Sequence, residues 1–240
     1  MAASLSAVRH AFADPLTPGR LIRRYKRFLA DVELNDGRQV TAHCPNSGSM
    51  LGCLEQGAPV FLSQNHDAKR RTAYTWQMIF INQGWVGINT LVPNRLVAQA
   101  ARKQALPLFQ GAREVRPEVK TSEHTRLDLL VEREQGPLYV EVKNVTLVAD
   151  GAAIFPDAKT TRGAKHLVEL MNLKSQGAGA AAVFVVQRMD ANCFAPAREI
   201  DPDYADLLVK ARKRGVQVAA VQAKVSPREI HLLRELPLNC

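Results

Sequence analysis

Three residues on two neighbouring segments have the side chains needed for metal-assisted hydrolysis of a phosphodiester. Asp128 lies in "RLDLLVE" (126–132), and Glu141 and Lys143 lie in "LYVEVKNV" (138–145). Two carboxylates provide the hard oxygen ligands that Mg²⁺ or Mn²⁺ takes together with water and phosphate oxygens. A neighbouring lysine can orient the attacking water or stabilise charge that develops on the phosphate. We therefore predict Asp128, Glu141 and Lys143 as catalytic residues and the two carboxylates as ligands of Mg²⁺ or Mn²⁺.

This chemistry requires the two segments to form a hairpin of the correct register. Both read as strands, and "REQGP" between them reads as a turn. Opposed residues of an antiparallel pair share a face, so an even loop brings Asp128 across from Glu141 or Lys143, and an odd loop separates them. The alternative is a solvated hairpin with ordinary Asp–Lys pairing across the strands. The E-x-K pattern is weak alone, since Glu118-Val119-Lys120 repeats it.

The elements around this hairpin predict an α/β domain. Helices are expected in "PNRLVAQAARKQ", in "TTRGAKHLVELMNLKSQG" between a threonine cap and Gly177, and from Asp201-Pro202 to Gly215. "AAAVFVVQ" reads as a buried strand and "VQVAAVQAKV" as the last strand. Near the C-terminus, Ser226, Pro227 and Glu229 fit a capping box, which predicts a short packing helix in "SPREIHLLREL".

The first third of the chain reads as short strands. "FLADVEL" and "RQVTAHC" flank Asn35-Asp36-Gly37, which predicts a hairpin, and further alternating segments predict a small barrel or sandwich. Barrels of the OB type bind single strands with basic loops and exposed aromatic rings. Trp76 and Phe80 fit that role or, equally well, a place in the core.

The charge of the chain points to a polyanionic partner. The 32 Lys and Arg outnumber the 23 Asp and Glu, which gives a net charge of +9. A basic protein without such a partner is the alternative. Part of the charge is concentrated in "KARKR" (210–214). We predict that nucleic acid is bound by cations in two other clusters, namely Arg20, Arg23, Arg24, Lys26, Arg27, Lys69, Arg70 and Arg71.

The sequence gives little support to a membrane, secreted, zinc-binding or nucleotide-binding protein. No apolar run is long enough for a membrane span and no secretory signal is evident, so we expect a cytoplasmic protein without a membrane partner. The four cysteines are widely spaced and are expected to be reduced. His43, Cys44, Cys53 and His66 could form a zinc site but lack paired-ligand spacing. No dinucleotide-binding or P-loop glycine pattern occurs.

Six segments resemble the motifs of one known family along nearly the whole chain. They are "CPNSGSM" (44–50), "WVGINT" (85–90), "PNRLV" (93–97), "YVEVKNVTL" (139–147), "FPDAKTTRGAKHLVEL" (155–170) and "IDPDYADLL" (200–208). Together they resemble the sugar fermentation stimulation protein A family of prokaryotes. The resemblance implies a small all-β, OB-like domain over residues 1–84. An α/β domain of the restriction-endonuclease-like superfamily follows over 85–240, with a mixed sheet flanked by helices. The superfamily's acidic-x(n)-acidic-x-Lys motif, PD-(D/E)XK, falls on Asp128, Glu141 and Lys143.

The resemblance also implies a function. Members are DNA-binding proteins without strong sequence preference, with a role in regulating sugar (maltose) metabolism, and the fold implies a Mg²⁺-dependent nuclease site. Glu118 corresponds either to a further metal ligand or to a surface strand residue. Arg162 and Lys165 are expected to contact phosphate near a helix start; the alternative is that Asp157 caps a turn and His166 packs.

Two other functions remain open at this point. One is a non-catalytic, DNA-binding transcriptional regulator with a vestigial nuclease fold. The other is a sugar- or metabolite-binding enzyme, which only the family name supports.

Overall fold

The computed structural model describes residues 3–67, 69–122 and 125–238. Short 3₁₀ helices occur at Leu5–Ala7 and Pro107–Phe109. The other elements of this part of the chain, in order, are β1 (Arg9–Ala11), β2 (Thr17–Tyr25), β3 (Leu29–Leu34), β4 (Gln39–His43), β5 (Pro59–Gln64), β6 (Tyr74–Ile81), β7 (Gly84–Gly87), α1 (Leu91–Arg102), β8 (Ala112–Lys120), β9 (Arg126–Arg133), β10 (Leu138–Val145), β11 (Leu147–Ala149), β12 (Ala152–Phe155), α2 (Thr161–Ser175), β13 (Gly179–Val186), β14 (Cys193–Pro196), α3 (Pro202–Lys213), β15 (Gln217–Val225) and β16 (Glu229–Leu236).

Strands β2 to β7 form one sheet, of which β2 to β6 close into a barrel, one of the two architectures that the sequence predicts. Their order in the sheet is β4-β3-β2-β5-β6-β7, and β4 also pairs with β6, which closes the sheet on itself. The expected hairpin joins β3 to β4, and Gly37 in its turn has a φ of +84° that suits glycine. Trp76 is fully buried and therefore packs in the core, while Phe80 packs its ring against Trp85.

The larger sheet has the mixed topology that was expected. Its order is β1-β16-β15-β13-β10-β9-β8, in which β10, β13 and β15 run parallel and the outer strands are antiparallel. Leu96 of α1 packs on one face with Val140, and Leu170 of α2 and Leu208 of α3 pack on the other with Phe184. Helices thus cover both faces of the parallel centre, as an α/β sheet requires. Strands β11, β12 and β14 form a small separate sheet.

Helices α2 and α3 begin and end where their capping residues predict. The Thr160 hydroxyl accepts a hydrogen bond from the Gly163 N–H at 3.0 Å, and the Asp201 carboxylate accepts one from the Tyr204 N–H at 3.1 Å. Gly177 and Gly215 lie just beyond the two helices with φ of +92° and +86°. No helix within the described ranges is long and apolar enough to cross a membrane.

The C-terminal segment is a strand, so the predicted packing helix is wrong. Ser226 and Glu229 close the β15–β16 turn through hydrogen bonds of the Ser226 hydroxyl and N–H to the Glu229 carbonyl, at 2.8 and 3.0 Å. The residues that suggested a capping box therefore serve a tight turn. Ile230 and Leu232 alternate into the core, and β16 pairs with both β15 and β1. Strand β1 thus lies in the larger sheet, although the sequence grouped it with residues 1–84.

Candidate active site and nucleic-acid surface

The β9–β10 hairpin has the register that brings the predicted catalytic residues together. Leu129 pairs with Val140, and one step further along the same register Asp128 opposes Glu141. The backbone ladder stops at that point, because the Asp128 Oδ2 atom accepts the Val142 N–H at 2.7 Å. Leu127 packs on the α2 side of the sheet and Leu129 on the α1 side, although alternate residues of a regular strand share a face. Strand β9 therefore rotates at Asp128, and this carboxylate lies between the two strands.

The Asp128 carboxylate is held by one residue of α1. Its Oδ1 atom accepts a hydrogen bond from the Asn94 side-chain amide at 2.7 Å. Burial, and next the negative charge of Glu141, raise the pKa of Asp128 to about 6. The hydrogen bonds and Lys143 oppose this rise only in part. A cation placed between the two carboxylates would relieve their repulsion.

Glu141 is almost completely buried and contacts two basic side chains through one of its oxygens. Its Oε1 atom accepts a hydrogen bond from the Lys143 ammonium at 2.6 Å and also contacts His166 Nδ1. Burial raises the pKa of Glu141, but the hydrogen bond with His166 and the charge of Lys143 together lower it below its ordinary value. The Oε2 atom is buried and has no hydrogen-bond partner among residues 3–67, 69–122 and 125–238.

Sequence reasoning did not assign Asn94 and His166 to the site. Asn94 projects from the start of α1 to Asp128, and His166 projects from α2 to Glu141, so each helix positions one carboxylate. Both residues lie within the resembling segments, and His166 is a buried polar residue next to Leu167 on the inner face of α2. The sequence signal for His166 was that a polar residue lies on an otherwise apolar face of the predicted helix. His166 packs, as one alternative had it, and it also contacts Glu141.

Glu118 lies near Asp128 and Glu141 in the strand register, but its side chain forms no hydrogen bond or ion pair with either carboxylate. It opposes Asp128 on β8, has a φ of +53°, and pairs with Arg126 at 3.2 Å, with its side chain 75% exposed. No group of three or more His, Cys, Asp or Glu side chains in the described part of the chain is arranged to hold a metal ion, and this includes the candidate zinc ligands His43, Cys44, Cys53 and His66. Cys44 and Cys53 are buried free thiols, and Cys240 lies outside the described residues.

The predicted nucleic-acid-binding cations fall into two groups. The Arg24 guanidinium is committed to the protein: it donates to the carbonyls of Asn46 at 2.8 Å and Gly48 at 2.9 Å, and further to those of Arg27 and Ser49. Arg20 donates to the Gly57 carbonyl, and Arg23 pairs with Asp31, although both remain exposed. The remaining predicted cations have exposed side chains, namely Lys26, Arg27, Lys69, Arg70, Arg71, Arg162 and Lys165.

The loop of residues 44–50 joins the barrel to the segments that precede α1 and α2. The Ser49 hydroxyl donates to the Asp157 carbonyl at 2.7 Å, and the Met50 N–H donates to the Asp157 carboxylate at 2.8 Å, just before α2. At its other end the Pro45 carbonyl accepts the Thr90 hydroxyl at 2.8 Å, just before α1. The loop therefore spans the starts of the two helices that position Asp128 and Glu141.

Comparison with known proteins agrees with this architecture. Residues 22–88 match the family model "SfsA N-terminal OB domain", and residues 91–229 match "Sugar fermentation stimulation protein RE domain". The chain belongs to the sugar fermentation stimulation protein family. This confirms the family and the fold class that the sequence predicted.

Relatives in this family match the chain over nearly its whole length. A "Sugar fermentation stimulation protein homolog" of Geotalea uraniireducens is 51% identical over 225 residues, which cover 94% of this chain and 97% of the relative. One from Geobacter sulfurreducens is 52% identical over 224 residues, which cover 93% and 96%. The structure of Pyrococcus furiosus SfsA in complex with Ca²⁺ is 27% identical, with a TM-score of 0.89 and coverage of 96% and 98%.

Proposed function

We propose that this protein binds nucleic acid, DNA in particular, without strong sequence preference and hydrolyses its phosphodiester bonds with a divalent cation. The observation that carries the proposal is the buried Glu141 Oε2 atom, which has no hydrogen-bond partner in the described chain and belongs to the residue opposite Asp128. A buried carboxylate oxygen is costly to leave unsatisfied. A cation held by Glu141 and Asp128 would satisfy it.

The residues fit a hard divalent metal such as Mg²⁺ or Mn²⁺. Both carboxylates offer oxygen donors, and burial together with the negative charge of Glu141 raises the pKa of Asp128, which a bound cation would counteract. The related P. furiosus structure is described as a complex with Ca²⁺, another oxygen-seeking cation. When bound, the metal would neutralise negative charge on the phosphate and make an attacking water more acidic.

The protein's own side chains would supply binding and orientation. Lys143 lies beside Glu141 and can stabilise charge that develops on the phosphate, while Asn94 and His166 fix the two carboxylates. Arg162 and Lys165 are exposed near the start of α2, where we propose that they contact the nucleic-acid backbone. Glu118 remains a proposed third ligand, and using it would require breaking its ion pair with Arg126.

A non-catalytic regulator is the second candidate, and one observation favours it. Lys143 and His166 already contact Glu141, so this carboxylate has basic partners without a metal. The name of the relatives refers to stimulation of sugar fermentation. A cytoplasmic DNA-binding regulator of sugar (maltose) metabolism would fit that name.

A cleavage assay separates the two candidates. Labelled single-stranded and duplex DNA are incubated with the protein and Mg²⁺, Mn²⁺ or EDTA, and Lys143→Ala is compared with Lys174→Ala, a change of an exposed lysine near the end of α2. We expect cutting by the wild type and by Lys174→Ala with metal only, and DNA retention without cutting by Lys143→Ala. DNA retention by the wild type without cutting under any condition supports the regulator instead.

A further inference from the structure

The turn between β2 and β3 exposes an aromatic ring on the barrel. Lys26, Arg27 and Phe28 form the turn, and 48% of Phe28 is exposed. Its ring is nearly parallel to that of His43 on β4, with an angle of 18° between the planes and 6.5 Å between the centroids. A partly buried histidine thus supports an aromatic ring that remains accessible to a ligand.

Two cations precede this ring in the same turn. Lys26 and Arg27 are exposed, and neither side chain forms an ion pair or hydrogen bond with any residue the structure describes. Their φ values of +48° and +63° lie in the left-handed region, which costs a non-glycine residue about 1 kcal/mol or more. The turn therefore presents two unpaired positive charges next to an accessible ring.

The turn is fixed by hydrogen bonds to the loop of residues 44–50. Arg24 donates to the Arg27 carbonyl at 3.0 Å and to the carbonyls of Asn46 and Gly48, and the Phe28 carbonyl accepts the Cys44 N–H at 2.8 Å. The loop of residues 44–50 continues to the starts of α1 and α2. A ligand on the turn would therefore lie beside a loop that also contacts the segments just before α1 and α2.

We propose that Phe28, supported by His43, stacks an unpaired base of single-stranded nucleic acid while Lys26 and Arg27 contact the adjacent phosphates. Every base presents a face that can stack, and the cations complement the strand's charge. In a duplex the bases are already stacked on each other, so the site selects single strands. The direction of the strand toward the hairpin rests on the proposed nuclease function, but binding at the turn does not.

Binding measurements in EDTA test this site without any cleavage. The full-length protein is titrated into four labelled probes: a single-stranded DNA, the RNA of the same sequence, the duplex, and an abasic oligonucleotide that keeps the phosphates but lacks bases. Phe28→Ala is compared with Phe28→Leu, Phe28→Trp and the control Leu233→Ala, which alters an exposed apolar residue on β16. Thermal unfolding verifies that each variant is folded.

Loss of one stacked base is expected to weaken single-strand binding roughly 5- to 150-fold. Phe28→Ala and Phe28→Leu should both show this loss, because leucine keeps apolar area but has no aromatic face. Phe28→Trp and Leu233→Ala should bind like the wild type. None of the four variants should change the affinity for the abasic probe.

The proposal fails if Phe28→Ala binds both base-containing single strands as tightly as the wild type, or if the wild type prefers the abasic probe or the duplex. It also fails if the wild type binds no single strand at low salt. Equal loss on DNA and RNA identifies a general single-strand site, and loss on one alone identifies that nucleic acid as the ligand. A wild type that binds single strands through Phe28 but cuts neither single strands nor duplex with Mg²⁺ or Mn²⁺ would refute the nuclease proposal and leave this site intact.

Discussion

Changing Asp128 to asparagine should stabilise the fold at neutral and alkaline pH. The pKa of Asp128 is raised from its ordinary 3.8 to about 6, so its ionised form is destabilised in the folded chain. Because the folded state holds this proton more tightly, the group favours folding below pH 3.8, and that contribution is lost as the pH rises through about 6. Asparagine has the same shape and carries no charge.

The size of the effect follows from the two pKa values. Their difference means that ionised Asp128 lowers the free energy of unfolding by about 3 kcal/mol above pH 6. Asparagine still accepts the Val142 N–H, and rotation of the Asn94 amide lets the two side chains share a hydrogen bond. The pKa of about 6 already includes the weakening of both bonds when the charge is removed, so the expected gain is at most about 3 kcal/mol. For a chain of this size that is roughly 6–12 °C in Tm.

Glu141→Gln provides the matched control in the same hairpin. The pKa of Glu141 is lowered by His166 and Lys143 despite its burial, so its charge stabilises the fold above the ordinary pKa and this contribution is lost as the pH falls. Removing that charge at pH 8 should destabilise the protein. Two substitutions that each remove one negative charge should therefore have opposite effects at the same pH.

Denaturant unfolding in EDTA, followed by circular dichroism at pH 4 and pH 8, measures both effects. Asp128→Asn should be more stable than the wild type at pH 8 and differ little at pH 4, where Asp128 is protonated in the folded wild type. A loss of stability at pH 8, or the same gain at both pH values, would refute the electrostatic account of this site.

Three further predictions concern His166 beside Glu141, Arg24 of the barrel and the cations of the β2–β3 turn. His166→Ala should weaken divalent-metal binding about 10- to 100-fold because Glu141 loses its orientation, and His166→Asn should recover part of this in a metal titration. Arg24→Ala should lower the free energy of unfolding by about 1–3 kcal/mol because its carbonyl partners lose a charged donor, whereas Arg23→Ala should cost no more than about 1 kcal/mol; equal losses would contradict the assignment. Replacing Lys26 and Arg27 together by alanine should reduce the slope of log Kd against log salt for single-stranded DNA by roughly 1.4, and an unchanged slope would exclude them from phosphate contact.

The β9–β10 hairpin could be predicted because its sequence signals are local. Two β-rich segments with a turn between them predict the hairpin and leave two registers, one for an even and one for an odd loop; the register decides which side chains meet. The observed pairing of Leu129 with Val140 carries Asp128 opposite Glu141, as the even-loop alternative required. The helix caps at Thr160 and Asp201 were predictable for the same reason.

The missed features depend on contacts between distant segments. The Ser226–Glu229 turn uses residues that also cap helices, and only pairing with β15 and β1 makes the following segment a strand. Arg24 appears in the sequence as one more cation in a basic run, but the loop carbonyls that bind it come from residues more than twenty positions away. Asn94 lies 34 residues before the carboxylate that it holds.

The most direct test of the account is a titration of the protein with Mn²⁺, followed by electron paramagnetic resonance of the free ion. We expect a Mn²⁺ site in the wild type that Glu141→Gln and Asp128→Asn remove. Glu118→Gln should weaken it, because Glu118 is a proposed third ligand. The metal site would be contradicted if the wild type bound no Mn²⁺, or if both the Glu141 and the Asp128 variants bound Mn²⁺ as the wild type does.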